Sequence, residues 1–472
     1  MIPLPLTGGS SKARSHIASS VRSLNLYGEK NPQGSEFPET YYPTPGLRKL
    51  ATAPESGYAG LYVSSANELF AAVGKSIYQI GSDYSFTKIG EIGTPAGPVS
   101  MQDNTLQIVI VDGSPNGWTV EMNTKAFAKI TDPAFYGSPR ASIVDDFMVF
   151  NQPGTRQFYV SPALSMDLDP LDIAAKNGAP DKLVVAVVAN RLIWLLGERS
   201  TEIWNNTGAS DFAFARYPGV FIQHGCAAAA SPAVADSAVF WLGQDEQGGG
   251  LVFRGSQLSA QLISTPALTE ELRSYPRLDD AIGYIHQLDS HLFYVLTFPT
   301  ADRTWCYDML SSEWHERGWM SDDGKQHRHR GACFANWRGK QIVGDWETGD
   351  LYELTPDAYD DAGEETLRLR SWAIAGGSGE PMSYDKFRAV MEVGEASSYE
   401  DDPKARLRWS DTRGRTWSNA ISMSVGKRGE FSRNVERHRL GTDLANGRIF
   451  ELAWSANCKT ALAGAYVDVG AD

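Results

Sequence analysis

The chain has few of the residues that mark secreted or metal-binding proteins. Its 472 residues include four cysteines, which lie far apart and form no CxxC pair. This spacing excludes a disulfide scaffold and a zinc-ribbon pattern, and it favours reduced, buried thiols in a cytoplasmic setting. The amino-terminal segment lacks the apolar stretch of a signal peptide. No apolar run reaches the length of a membrane span.

Positive charge is also scarce. The sequence has 43 lysines and arginines against 57 aspartates and glutamates, for a formal net charge of −14. Because phosphate binding needs lysine and arginine, we do not expect the surface as a whole to capture nucleic acid. An acidic wall past which DNA slides without sticking is a hypothesis compatible with this balance.

Turn-forming and aromatic residues, in contrast, are plentiful. There are 45 glycines and 24 prolines, and aromatic residues make up 11% of the chain, which suits pleated sheets. The most strongly patterned stretch covers residues 189–208. It combines the apolar run Leu192–Leu196, a turn at Gly197–Arg199 and the alternating segment Ser200–Trp204, which together indicate a β-hairpin.

The same hairpin pattern recurs, in weaker form, from residue 57 to about residue 363. Its first turns lie at Asn67, Asn104, Asp146, Asn190, Asp236, Ser290 and Gly339. Each turn is followed by a returning strand that carries an aromatic residue. A period of about 40–50 residues with several strands per repeat is typical of a β-propeller, in which small sheets bury both faces around a ring. We predict an all-β propeller of six or seven blades; a sandwich or barrel of unrelated hairpins is the alternative.

Composition divides the chain into three parts. Residues 1–50, rich in proline, glycine and serine, are predicted to form an extended amino-terminal arm. Residues 51–365 form the propeller, and the acidic stretch 355–366 marks its end. Residues 366–472 alternate without the blade period and form a carboxy-terminal β domain, either sandwich-like or completing the ring. The arm either lies across its own chain or clasps a neighbouring subunit.

Three segments supply candidate partner contacts: the arm, the polar turn of the central hairpin, and the arginine-rich carboxy-terminal part. The candidates are Leu26, Tyr27, Glu29, Glu198, Arg199, Arg413, Arg415, Arg437 and Arg439. The arginines form either a solvated face, with Glu430 and Glu436 as partners, or a docking face for an acidic partner or DNA backbone.

No constellation of residues predicts catalysis. His327 and His329 with Cys333 give only three local metal donors in a basic run, so a solvated loop is favoured over a metal site. There is no GxSxG elbow, and Gly248–Gly250 lacks the lysine of a phosphate loop. We expect no enzyme activity and no catalytic, cofactor-binding or metal-binding residues.

One hairpin resembles a known turn motif. Residues 410–417, SDTRGRTW, are similar to the Asp-box of sialidase propellers, a structural turn in which a carboxylate ties the hairpin together. Thr412 occupies the position of that carboxylate, and the motif occurs once, outside the periodic region. It predicts a tight hairpin rather than a glycosidase.

Several segments, in their order along the chain, carry a family resemblance. They are LNLYGE (24–29), YPTPGL (42–47), LLGERSTEIWNNTG (195–208), WCYD (305–308) with SEW (312–314), and the hairpin at 410–417 followed by Gly429-Glu430 and Glu436-Arg437. Together they resemble the packaged-DNA stabilisation proteins, the tail accessory or nozzle proteins of short-tailed bacteriophages.

That resemblance implies a structural protein of the virion tail, made in the host cytoplasm. It implies a ring, expected to be hexameric, that docks beneath the adaptor ring under the portal and extends the DNA channel. Such a protein helps retain the packaged genome and carries tail spikes or fibres and a needle or plug, while double-stranded DNA passes without specific contacts. The alternatives are a carbohydrate-binding or sialidase-like propeller for receptor recognition, and a scaffold from a cellular propeller family.

Overall fold

The described amino-terminal part contains seven short strands, of which five join sheets formed much later in the sequence, whereas β2 and β3 pair with each other. The computed structural model describes residues 1–12, 20–321, 323–376, 379–396 and 401–470. The amino-terminal strands are β1 (Ile2–Pro5), β2 (Ser11–Lys12), β3 (Ser20–Val21), β4 (Ser23–Leu24), β5 (Leu26–Lys30), β6 (Glu39–Pro43) and β7 (Gly46–Thr52).

Antiparallel four-stranded sheets then follow one another as the blades of a propeller. Blade 1 consists of β8 (Tyr58–Val63), β9 (Leu69–Val73), β10 (Ser76–Ile80) and β11 (Phe86–Glu91). Blade 2 consists of β12 (Ser100–Asp103), β13 (Gln107–Val111), β14 (Gly117–Glu121) and β15 (Phe127–Lys129). Blade 3 consists of β16 (Ser142–Val144), β17 (Phe147–Asn151), β18 (Gln157–Val160) and β19 (Ile173–Ala175).

The next three blades keep this order, with one helix between two of them. Blade 4 consists of β20 (Leu183–Ala189), β21 (Leu192–Gly197), β22 (Thr201–Asn206) and β23 (Phe214–Arg216). Blade 5 consists of β24 (Ala233–Ala235), β25 (Ala238–Gln244), β26 (Gly250–Ser256) and β27 (Ser259–Leu262), followed by α1 (Pro266–Arg273). Blade 6 consists of β28 (Ile282–Leu288), β29 (His291–Phe298), β30 (Arg303–Asp308) and β31 (Glu313–Met320), and β32 (Gln326–Arg328) pairs with β31.

The seventh blade is completed by a strand from the other end of the chain. Its first three strands are β33 (Gly331–Trp337), β34 (Lys340–Asp345) and β35 (Asp350–Thr355). Its fourth strand is β7, which pairs antiparallel with β35. β33 also packs against β8 of blade 1, so the ring closes. The predicted boundary at residue 50 therefore falls inside β7, a strand of the propeller.

The predicted hairpins are confirmed, and the blade count is seven. Each of the seven predicted first turns connects the first and second strands of a blade. Asn190 and Arg191 have φ values of 50° and 59°, and Asp236 and Ser237 have 48° and 58°. Two successive residues with positive φ form the type I′ turn that matches the twist of paired strands, and after glycine it is asparagine and aspartate that tolerate this backbone region best.

The carboxy-terminal part forms two sheets that face each other. After the short strands β36 (Asp360–Asp361) and β37 (Glu364–Glu365), its strands are β38 (Arg368–Ser371), β39 (Tyr384–Met391), β40 (Lys404–Ser410), β41 (Ile421–Ser424), β42 (Val435–His438), β43 (Ile449–Trp454) and β44 (Leu462–Val469). One sheet has the order β42-β39-β44-β6-β5, with β1 also on β44. The other continues β4-β38-β43-β40-β41. The sandwich-like region is thus confirmed.

The amino-terminal arm lies across its own chain, which is one of the two predicted alternatives. β1, β5 and β6 belong to one sandwich sheet and β4 to the other. Leu4 and Leu6 are buried in the sandwich core beside Trp372, Phe387 and Phe450. A clasp onto a neighbouring subunit stays a prediction. Within the described residues, no helix is long and apolar enough to cross a membrane.

Candidate functional site

The two-residue strand β4 joins the propeller to the sandwich. Leu24 pairs in parallel with Glu316 of blade 6 and antiparallel with Leu369 of the sandwich. A single sheet therefore runs from blade 6 through β4 into β38, β43, β40 and β41. Because main-chain hydrogen bonds cross the junction, the two parts are coupled as one continuous sheet rather than by a linker.

Asn25, the next residue, fastens this junction with its side chain. Its Nδ2 donates to the carbonyl oxygens of Gly318 at 2.7 Å and Leu367 at 2.8 Å, and its Oδ1 accepts from the N–H of Gly318 at 3.0 Å. The residue is buried and has a φ of 53°. Asparagine is one of the few residues other than glycine that adopt this backbone region readily.

A cleft of about 1060 Å³ lies beside the junction. Leu24, Leu369 and Ala453 of the continuous sheet line it, and the hairpin of β31 and β32 lines the other side. Charged side chains border the cleft: Arg22, Arg330, Arg406, Arg408, Glu364 and Glu451.

Ion pairs border the cleft: one joins the amino-terminal arm to blade 6, and another lies between two neighbouring strands of the sandwich. Arg22 donates to both carboxylate oxygens of Glu316, at 2.8 and 2.6 Å. Nε and Nη2 of Arg408 both contact one carboxylate oxygen, Oε1, of the buried Glu451. Burial opposes the charge on Arg22, but the hydrogen bond and charge of Glu316 outweigh it and raise the pKa of Arg22. Burial raises the pKa of Glu451, and Arg408 partly offsets that shift.

The tryptophan in this cleft offers no open ring face. The Arg330 guanidinium lies 4.0 Å from the centre of the Trp319 ring. The His327 ring stacks on Trp319 with centroids 4.8 Å apart. An aromatic platform for a sugar needs a free ring face, so Trp319 does not provide one in this arrangement.

A narrow tunnel follows the propeller axis. Its volume is about 320 Å³, which is the size of a small-ligand pocket. The innermost strands line it mainly with small and apolar residues, such as Gly60, Val99 and Gly283. Among the described residues that line it, Arg140 is the only charged one.

The structure separates the predicted partner contacts into buried and exposed groups. Leu26 is fully buried in the sandwich core, and Tyr27 packs against His291 and Phe293. Both residues are therefore withdrawn as partner contacts, because their side chains are used by the chain's own fold. Glu29 is exposed at the edge strand β5.

The remaining candidates lie in three separate places. Glu198 and Arg199 are exposed in the turn between β21 and β22 of blade 4. Arg413 and Arg415 lie in the hairpin after β40, and Arg437 and Arg439 are exposed at the edge strand β42.

The expected carboxylate partners of these arginines are engaged elsewhere. Glu436 pairs with Lys386 at 2.7 Å, and His438 lies 3.3 Å from it. Glu430 accepts from the main-chain N–H of Lys427. Arg437 and Arg439 form no ion pair with any residue the structure describes. Their charges are therefore available at the surface.

The family to which the chain belongs is shown by a comparison with protein-family models. The model described as "Bacteriophage P22 Gp10, beta-propeller" (Phage_stabilise) matches residues 3–359. The chain belongs to this family. Phage_stabilise proteins are phage proteins associated with the tail that stabilise packaged DNA. The resemblance drawn from the sequence is thereby confirmed.

Other comparisons are more distant. No curated protein sequence matched the chain. The Neurospora crassa Pan2 WD40 domain is 10% identical, with a TM-score of 0.42, over 66% of this chain and 95% of that chain. The N-terminal domain of Nup159 is 12% identical, with a TM-score of 0.41, over 71% and 99%. The WD40 β-propeller domain of Doa1 is 11% identical, with a TM-score of 0.40, over 66% and 96%.

In this Phage_stabilise protein the two histidines of the HxH motif have separate surroundings. His327 Nδ1 lies 2.7 Å from Asp302 Oδ2, whereas His329 is buried. Burial raises the pKa of Cys333 to about 12. Across the described part of the chain, no three metal-binding side chains converge.

The Asp-box-like hairpin keeps its turn without the usual acid. Thr412 Oγ1 accepts from the Thr416 N–H at 2.8 Å, and Ser410 Oγ accepts from the Gly414 N–H at 2.8 Å. The neighbouring Asp411 binds the buried Arg448 through two hydrogen bonds of 2.7 and 2.9 Å. The hydroxyl of Thr412 thus replaces the carboxylate in the turn of this Phage_stabilise protein, as the prediction of a tight hairpin required.

The sequence did not predict the roles of three structurally important residues: Asn25, Arg140 and Arg448. Asn25 stood inside the recognised segment LNLYGE, and an asparagine between two apolar residues was its only local signal. Arg448 belongs to the arginine-rich carboxy-terminal part of the sequence, but unlike Arg437 and Arg439 it is buried. Nothing near Arg140 in the sequence indicates that it reaches the propeller axis.

Proposed function

We propose that this Phage_stabilise protein is the tail nozzle or hub, a structural protein without catalysis. Copies form a ring, hexameric by the family resemblance, that docks beneath the adaptor ring, extends the DNA channel and helps retain the genome. The same ring anchors tail spikes or fibres and the needle or plug. The observation that carries the proposal is the continuous ten-stranded sheet, which makes propeller and sandwich one body, in a chain of this family.

The small size of the propeller's own tunnel is a reason to place the DNA channel between subunits. The tunnel has a volume of about 320 Å³, which is enough for a small ligand. A DNA duplex is too wide to enter it, because the major groove of the duplex alone is about 12 Å wide. In this proposal DNA passes through the centre of the ring of copies. A heterologous contact that closes on itself generates such a ring.

The charge of the chain supports passage without tight binding. A net charge of −14 repels phosphate, so DNA slides along an acidic wall. Arg437 and Arg439, which form no ion pair with a described residue, then serve protein contacts at one sandwich edge, because the partner that meets them presents carboxylates. A strongly basic channel lining in the assembled ring would contradict this part of the proposal.

Electron microscopy of the purified chain, alone and mixed with the adaptor ring of the same phage, tests the proposal. We expect a ring stacked coaxially on the adaptor. The variant Arg437→Glu/Arg439→Glu should weaken ring formation or docking, whereas Arg156→Glu, an exposed arginine on a blade-3 turn, should not. A stable monomer that binds glycans and not the adaptor would instead support the receptor-recognition alternative.

A further inference from the structure

Arg140 occupies an unusual electrostatic position on the propeller axis. Its Nη1 donates to the carbonyl oxygen of Pro232 at 2.8 Å, which connects the entry to blade 3 with the entry to blade 5. This is the only hydrogen bond of its guanidinium within the described residues, and no carboxylate forms an ion pair with it. Four of the five N–H donors of an arginine therefore have no protein acceptor here.

The tunnel around Arg140 provides no negative charge. Its described lining contains no aspartate or glutamate, and residues such as Pro98, Pro139 and Ala233 give it an apolar wall. Burial without a counter-charge lowers the pKa of Arg140. The Arg140 side chain is half-buried, and even partial loss of the water around a charge is costly unless the charge is paired and hydrogen-bonded. The chain has 57 aspartates and glutamates, but none of those that the structure describes forms an ion pair with Arg140.

Ser100 supplies a second donor on the same wall. Its Oγ accepts the main-chain N–H of Ala141 at 3.2 Å, which leaves the hydroxyl proton free to donate. Ser100 and Arg140 both line the tunnel. A guanidinium fork and a hydroxyl donor that line one tunnel are suited to an oxyanion, whose several oxygens accept charge-assisted hydrogen bonds.

We propose that the axial tunnel is a binding site for one small oxyanion of the phosphate class, held by Arg140 and Ser100. The volume of about 320 Å³ accommodates such an ion and excludes larger polyanions such as DNA. The bound ion neutralises the axial cation and links the inner ends of blades 2, 3 and 5. This inference does not depend on the proposed tail function.

Titration of the purified full-length chain with inorganic phosphate, in phosphate-free buffer at constant ionic strength, tests the site. Isothermal calorimetry and ³¹P line broadening should show saturable binding of one phosphate per chain. The melting temperature should rise with the logarithm of phosphate concentration above the dissociation constant, because a ligand that binds only the folded state stabilises it.

Variants locate the binding. Arg140→Gln should abolish both the saturable binding and the phosphate-dependent rise in melting temperature, and Arg140→Lys should weaken binding at least tenfold because the planar fork is lost. Arg156→Gln removes an exposed arginine of the same blade and should behave as the wild type.

Two results would overturn the proposal: absence of saturable binding to the wild-type chain at millimolar phosphate, or equal binding by Arg140→Gln. If Arg140→Gln fails to fold, the titration of the wild-type chain still tests whether phosphate binds.

Discussion

Asn25 Nδ2 donates to the carbonyl oxygen of Gly318 at 2.7 Å, across 293 residues of sequence. The same amide nitrogen reaches Leu367 in the sandwich. One side chain thus satisfies main-chain groups of both parts of the molecule. Buried main-chain groups need such partners, since leaving one without costs about 1–3 kcal/mol.

Replacement of Asn25 should loosen the junction. Asn25→Ala removes three hydrogen bonds and places alanine at a positive φ, so we expect a loss of roughly 3–5 kcal/mol in the free energy of unfolding. Asn190→Ala, at an exposed turn with a similar φ of 50°, carries the backbone penalty alone and is the matched control. Urea unfolding followed by tryptophan fluorescence measures both. Equal losses would show that the Asn25 amide contributes nothing.

Closure of the ring through β7 predicts a strong effect at Leu47. This side chain is fully buried in blade 7, far in sequence from the other three strands of that blade. Leu47→Ala should cost about 2–5 kcal/mol because it leaves a cavity. Arg48→Ala removes a half-exposed side chain whose ion pair with Glu353 spans 3.6 Å, and should cost less than about 1 kcal/mol. Chemical denaturation compares the two, and similar midpoints would argue against ring closure by β7.

The buried pair of Asp411 and Arg448 predicts a structural role for the Asp-box-like hairpin. Arg448 is 1% exposed and also packs on the rings of Tyr384 and Trp409. Asp411→Ala leaves this charge unpaired and should cost about 3–5 kcal/mol. Arg415→Ala, in the same hairpin but exposed, should be close to neutral. Thermal unfolding measures both, and a neutral Asp411→Ala would contradict the role given to the pair.

Three buried histidines near Arg317 predict acid sensitivity. Burial, with the Arg317 charge, lowers the pKa of His315 to about 3 and holds the pKa values of His286 and His329 well below their ordinary value. The folded chain keeps them neutral, whereas the unfolded chain protonates them near pH 6.5. Stability should therefore fall as pH drops below about 6.5, by up to about 1.4 kcal/mol per pH unit for each histidine.

Acidic groups whose pKa is raised by burial, among them Glu451 and Asp361, oppose this trend. Burial raises the pKa of Asp361 to about 6, against the nearby arginines, so the folded state takes up this proton first and gains stability below pH 6. These groups reduce the overall slope but do not change the contribution of His315 itself. His315→Asn should reduce the slope of unfolding free energy between pH 5 and 6.5 by about 1.4 kcal/mol per pH unit. The wild-type chain, measured at the same pH values, is the reference. Identical slopes would contradict the buried neutral state of His315.

The amino-terminal arm cannot be removed without harm to the sandwich. The Trp372 indole donates to the carbonyl oxygen of Leu4 at 3.0 Å, and β1 pairs with β44. Deletion of residues 1–12 should expose the sandwich core and increase its proteolysis, while the seven-bladed propeller persists. Limited proteolysis with mass spectrometry of the fragments checks this. Protection equal to that of the full chain would contradict it, and loss of assembly by such a truncation would not by itself demonstrate a clasp.

The sequence by itself determined the propeller, because the information for a blade is local. Turns such as Asn190-Arg191 and Asp236-Ser237 need residues that tolerate positive φ, and the apolar runs beside them alternate over a few residues. These signals recur at the blade period, so they could be recognised without any knowledge of long-range contacts. The helix at Pro266–Arg273 was predictable for the same reason, since Thr265 caps it and Leu268 and Leu272 share one face.

Only the tertiary structure decided where the arm goes, which strand closes the ring, and which arginines are buried. β7 pairs with β35, Asn25 with Gly318, and Trp372 with Leu4, each across roughly 300 residues or more. Such pairings depend on main-chain groups and on the packing of distant surfaces, which leave no periodic pattern in the sequence. The sequence does not distinguish Arg140, Arg437 and Arg448 from one another. The fold places Arg140 in the tunnel, Arg437 at a sheet edge and Arg448 in the core. Their charges differ in role because each site gives them a different set of partners and a different exposure to water.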